Sequence, residues 1–100
     1  MALTSKQRAY LRGLASFSDA IFQIGKSSVT PELVAAIDEA LEARELIKIN
    51  VLKNCLDDER EIADTIAGRT RSEVVHVIGR KIVLYRPCKR PEKRKIELPK

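Results

Sequence analysis

At 100 residues the chain has room for one compact domain with a single core, and none for a second domain or a large catalytic insertion. Hydrophobic residues at 44% beside charged residues at 33% describe a chain that folds, because a disordered one carries too little apolar surface to offset its ordering entropy. The net charge of +5 sits wholly in residues 86–100, where seven basic side chains face two acidic ones, while residues 1–85 balance. A basic segment of that kind attracts polyanions, of which RNA is the commonest in the cytosol.

No apolar run approaches the roughly 18 residues a membrane span needs. Met1-Ala2-Leu3-Thr4-Ser5-Lys6 lacks the apolar stretch of a secretory signal, so a cytoplasmic protein is expected. Cys55 and Cys88 belong to no CxxC or Cys/His grouping and read as reduced, inert thiols rather than a metal site.

In chain order, Thr4-Ser5-Lys6-Gln7 has the shape of a capping box, and Tyr10, Leu11 and Leu14 follow on one helical stripe, predicting a first helix over about residues 5–16. Ala20-Ile21-Phe22-Gln23-Ile24 is a short run of strand formers that stops at Gly25. Thr30-Pro31-Glu32 starts a second helix, since Thr caps, Pro fits the first helical position and an early acid suits the dipole; it runs to Arg44. Its acidic face carries Asp38, Glu39 and Glu42. Residues 46–52 alternate, with Ile47, Ile49 and Val51 on one face and Lys48 and Asn50 on the other, as in a half-covered strand.

Asp57 is the candidate cap of a third helix, expected to be the shortest, with an acidic first turn and Ile62, Ala63, Ile66 and Ala67 facing inward. Residues 73–78 and 82–86 are two β-branched runs around Gly79-Arg80, whose leading glycine suits a type II′ hairpin. Pro87 ends the pairing, and residues 87–100 read as a basic, flexible tail. The expected fold class is α+β (an α/β two-layer arrangement): a small four-stranded mixed sheet with three helices in the order helix-strand-helix-strand-helix-strand-strand. Its strand-helix-strand connections should be right-handed.

The informative segment is Ile24-Gly25-Lys26-Ser27-Ser28-Val29-Thr30-Pro31, which leaves a strand, turns and enters a capped helix. Open amides at a helix start, a glycine permitting close approach and a lysine form a phosphate seat. Neither GxxxxGK[ST] nor GxGxxG occurs, so no nucleotide cofactor is expected. Arg8 and Arg12 share a face of the first helix, and Arg44, Lys48, Lys53, Arg80, Lys81 and Arg86 extend the basic surface, with Lys89 and Arg90 in the tail. Tyr10 and Phe22 read as core, which leaves few aromatics for base stacking and favours recognition of RNA backbone and shape. His76 reads as a structural strand residue, and no nucleophile, metal set or acid-base pair lies at a recognisable spacing, so the chain does not read as an enzyme.

The sequence resembles the YhbY-type CRM domain, a bacterial RNA-binding family associated with the large ribosomal subunit precursor. The resemblance is carried by residues 3–12, by Ile21-Phe22-Gln23-Ile24-Gly25-Lys26, by residues 40–48 and by residues 77–86. It implies a CRM-type domain over residues 1–86, with a fold like the C-terminal domain of translation initiation factor three and related to KH-like folds, whose GxxG loop clamps nucleic-acid backbone. It also implies large-subunit ribosomal RNA or a pre-ribosomal particle as the partner; the chain itself is expected to be a monomer, although its sequence does not fix the oligomeric state. The family's second loop glycine falls at position 28, where this chain has Ser28, a residue that resists positive φ. On this reading the phosphate role falls to Gly25 and Lys26, then to Ser27, Ser28 and Thr30. The competing expectation is a protein-interaction module using the acidic face of the second helix.

Overall fold

The structure, a computed structural model, describes residues 3–99; Met1 and Ala2 of the N-terminal reading and Lys100 of the tail charge lie outside the described residues. Helix α1 (Ser5–Ala15) starts with the expected capping box: Thr4 Oγ1 accepts from the Gln7 amide at 3.1 Å, and Gln7 Oε1 accepts from the Thr4 amide at 3.0 Å. Strand β1 is only Phe22–Ile24, although the Ile21 amide already donates to Lys48 O. Thr30 caps α2 (Pro31–Arg44), which passes into β2 (Leu46–Val51) with Glu45 as the sole connecting residue.

Helix α3 (Glu59–Thr70) is capped by Asp58 rather than Asp57, through Oδ2 contacts to the amides of Arg60 and Glu61. At 12 residues it is longer than the 11-residue α1, so the expectation of a shortest third helix fails. Strands β3 (Glu73–Ile78) and β4 (Lys81–Tyr85) form the expected hairpin. Positive φ at Gly79 without positive φ at Arg80 is the type II′ pattern.

The sheet order is β1-β2-β4-β3, with β1 and β2 parallel and the other pairs antiparallel. Alternation along β2 sends Ile47, Ile49 and Val51 into the main core with Ile82 and Leu84, where Ile37 and Leu41 of α2 and Ile62 and Ile66 of α3 cover them. Each such fully buried aliphatic side chain contributes about 1.5–3 kcal/mol. The expected two layers are thus the sheet with α2 and α3. Helix α1 lies on the opposite face, where Leu11 and Ala15 pack with Val75, Val83 and Tyr85. Tyr10, expected in the core, is 43% exposed, because this face takes only the Leu11 and Ala15 side of α1; Phe22 does pack against the main core.

Residues after Pro87 differ from the expected free tail. The buried Glu45 carboxylate accepts from the amides of Cys88 (2.8 Å), Lys95 (2.5 Å) and Ile96 (3.0 Å), and Glu42 accepts from Lys89. Ile96 and Leu98 pack against the α1 cluster, and Gln7 Nε2 donates to Pro99 O. Carboxylates in the last turn of α2 and at its C-cap replace the water these amides would otherwise hold, and apolar burial secures the far end. Burial pushes the Glu42 carboxyl up, yet the Lys89 amide, the Cys88 thiol and the nearby Arg86 and Lys89 charges outweigh it, leaving the group below its ordinary value. Burial, followed by the Glu45 charge, raises the Tyr85 phenol.

Glu45→Ala removes the acceptor of one buried amide, Cys88, and two part-buried ones, Lys95 and Ile96, and should cost about 2 kcal/mol in urea unfolding, since an unsatisfied buried donor costs about 1–3 kcal/mol and the amides that water can reach cost less. Amide exchange should accelerate at Cys88, Lys95 and Ile96. Because the folded Glu42 carboxyl is depressed, its contribution is complete above the ordinary carboxylate range and disappears as pH falls through its lowered value. The Lys89 amide should therefore lose exchange protection as pH falls through that lowered value, before the core amides do.

Candidate nucleic-acid interface

The β1–α2 loop is a tight turn in which the Ser28 amide donates to Gly25 O at 3.0 Å. Ser28 sits at φ +53°, in the left-handed region, so the corner expected to want glycine is made by serine against its preference. Gly25 sits in a close corner: a Cβ there would lie 3.3 Å from Asn54 Oδ1, so that exposed side chain would have to give by a few tenths of an ångström, and 3.6 Å from Leu52 Cδ1, an ordinary contact. Thr30 Oγ1 is occupied as the α2 cap, accepting from the Leu33 amide at 3.1 Å. Lys26 and Ser27 are exposed, and among the described residues their amides have no hydrogen-bond partner. The loop therefore offers two open amides, hydroxyls and an ammonium beside a helix N-terminus, as the phosphate-seat reading requires.

The wider basic set divides. Arg12, Lys48 and Lys81 converge on a depression of about 270 Å³ between α1 and the sheet, joined by His76, whose role sequence reasoning placed in the strand framework. Arg44 borders a neighbouring hollow with Lys48, Ile21 and Asp19. Lys53 is exposed in the β2–α3 loop, close in sequence to the Asn54 that flanks Gly25. Arg80 is partly committed, donating to Leu52 O at 3.1 Å and lying 3.7 Å from Glu59.

Two candidates are structural. The bulge between Val74 and His76 leaves carbonyls on the β3 edge, and Arg8 Nη1 donates to Val74 O and, at 3.3 Å, to Val75 O. Arg86 is 8% exposed; its guanidinium donates to Asp38 Oδ1 at 2.5 Å, Thr70 O at 2.8 Å and Asp38 O at 3.0 Å, and lies 3.5 Å from Glu42. Arg86 is thereby withheld from solvent, while Arg8 is half-buried with one nitrogen committed to the β3 edge. In the tail, Lys89 donates its amide to Glu42, while Arg90 lines a cleft of about 570 Å³ against Asp38, Glu39 and Glu42. The acidic face of α2, the proposed protein-docking surface, is thus largely engaged by the chain's own C-terminal segment.

Sequence reasoning missed His76, Gln23 and Ile78 as members of the open sheet face. The signal was the period-two alternation of β2: Asn50, opposite the core residues, pairs with Gln23 on one side and Lys81 on the other, and Lys81 pairs with Ile78. Ser28→Gly should stabilise the protein by about 0.5–1 kcal/mol in urea unfolding, since it removes left-handed strain worth about 1–2 kcal/mol and returns part of it as chain entropy.

A family model described as "CRS1 / YhbY (CRM) domain" matches residues 3–86. The chain is 46% identical over 97 residues to "Probable RNA-binding protein YqeI" of Bacillus subtilis, covering 97% of this chain and 99% of that one. It is 35% identical over 98 residues to a protein of Haemophilus influenzae named "RNA-binding protein", covering 98% and 96%. The solution structure of protein SAV1595 from Staphylococcus aureus superposes with a TM-score of 0.79 at 50% identity, covering 98% of this chain and 100% of that one. With its three helices and four-stranded mixed sheet, the chain belongs to the CRS1/YhbY (CRM) domain family.

Proposed function

We propose that this protein binds RNA, holding backbone phosphates on the 25–28 loop and on the cations of the open sheet face. The observation that carries the reading is the loop: Ser28 takes the left-handed corner that a GxxG-type loop needs, which leaves the Lys26 and Ser27 amides and the Lys26 ammonium open beside the α2 N-terminus. The names of the relatives support RNA as the ligand. Arg12, Lys48 and Lys81 supply further phosphate contacts, each releasing counterions on binding.

The finer reading is of a cytoplasmic monomer that docks on large-subunit ribosomal RNA and assists assembly of that subunit. It rests on the family resemblance and on basic residues distributed over a sheet face and a loop, which suits structured RNA recognised by backbone and shape. Among the described residues no helix is long and apolar enough to cross a membrane. The chemistry asked of the site is binding alone.

Titrating a labelled large-subunit ribosomal RNA fragment at several salt concentrations tests both levels. Affinity should fall steeply with salt; Lys26→Glu should weaken binding by about tenfold and reduce the salt slope by about one contact. Arg90→Glu, which faces α2 acids, should change binding much less. Salt-insensitive binding would remove the backbone-contact reading. Absence of the protein from every ribosomal particle on a gradient of its native cells would remove the ribosomal destination.

A further inference from the structure

The face of the sheet that α1 covers is covered only in part. Leu11 and Ala15 close over Val75, Val83 and Tyr85, whereas the far half, toward the β3–β4 turn, carries Gln23, Asn50, Lys81 and Ile78 in one cross-strand row. At the boundary between the two halves the surface sinks into the depression described above. Its lining is mostly apolar, with Ala15, Val83 and Ile78 contributing, and Ile78 is 63% exposed although it lies on a strand.

Three cations, Arg12, Lys48 and Lys81, surround this apolar patch, and among the lining residues there is no carboxylate to neutralise them. None of the three has an ion pair among the described residues. An ordinary solvated surface spreads such charges over polar neighbours; here they ring a hollow that is costly to leave against water. The combination excludes a basic partner and suits a ligand that is flat and apolar in its middle and anionic at its edges. A volume of about 270 Å³ lies just below the roughly 300–1,000 Å³ of small-molecule pockets, so it admits one such group and neither a helix nor a base pair.

We infer that this depression holds the base of a single unpaired nucleotide, stacked beside the His76 imidazole over Ile78 and Val83, with its flanking phosphates on Arg12, Lys48 and Lys81. The inference deepens the RNA-binding proposal and rests on it. Unstacked bases in loops and bulges are the ones a protein can receive, and imidazole and guanidinium planes serve as stacking surfaces where aromatic rings are scarce. The surface would thus discriminate bulged or looped RNA from uninterrupted duplex, which phosphate contacts alone do not do.

The test uses the full chain and three RNA hairpins: one with a single bulged nucleotide, one with the same bulge made abasic, and one without a bulge. The intact bulge should bind about tenfold more tightly than the abasic one, the size of effect that base stacking delivers. Ile78→Ala, at a position 63% exposed, should erase most of that ratio, as should His76→Ala. Lys26→Glu should weaken intact and abasic hairpins equally and preserve the ratio. Equal binding of the intact and abasic bulges by the wild-type protein would overturn the base slot while leaving RNA binding in place. Failure to bind any of the hairpins would overturn both.

Discussion

The arrangement of this protein depends on one buried carboxylate at the junction of α2 and β2. Glu45 turns the chain from helix to strand in a single residue at φ +68°, a conformation that a non-glycine residue holds only when its surroundings over-determine it. The surroundings do so from several sides. Its amide closes α2 by donating to Leu41 O, its carbonyl accepts from the Arg86 amide as the chain leaves β4, and its carboxylate gathers three amides from residues 88–96. A buried carboxylate that has no ion pair among the described residues is tolerated when backbone donors take the place of its hydration shell.

That clamp decides where the charge of the molecule can act. The C-terminal segment holds the entire formal excess of positive charge, yet Arg86 is sealed between Asp38, Glu42 and Thr70, Arg94 donates to Cys88 O, and Arg90, Lys93 and Lys95 line a cleft with α2 acids. Residues 1–85 sum to zero, and the zero conceals segregation. Their acids cluster on α2 and around the start of α3, while Arg12, Lys48 and Lys81 meet on the other face of the sheet. A local potential depends on where charges lie within a Debye length, about 8 Å in physiological salt, so a balanced sequence can still present a strongly basic surface.

Elements whose causes are local were readable in the sequence. The Thr4–Gln7 capping box, the Thr30-Pro31 helix start, the alternation along β2 and the Gly79-Arg80 turn each act within a few residues, and each element stands close to where those signals place it. Asp57 and Asp58 are both competent caps by residue type, and the structure uses the second. What escaped the sequence depends on partners far along the chain: Arg8 meets a carbonyl 66 residues away, Glu45 an amide 43 residues away, and the exposure of Tyr10 follows from how α1 is rolled onto the sheet. The loop is a mixed case, because its residues were visible while the positive φ of Ser28 was not.

The two parts of the proposed interface are linked by β1. The strand ends in the loop at Gly25, and Gln23, two residues earlier, opens the cross-strand row that runs through Asn50 and Lys81 to Ile78 at the edge of the depression. Three inter-strand steps make that row about 14 Å long. The row is rigid because the opposite face of the same strands carries Phe22, Ile24, Ile49, Val51 and Ile82 in or against the main core. The loop and the depression are therefore held at a fixed separation by the hydrophobic core itself, and a ligand that spans them meets a preorganised surface with little ordering left to do. Helix α1 and the clamped C-terminal segment complete this design by burying only the other half of the face, so the coverage that stabilises the fold also sets the boundary of the surface left open.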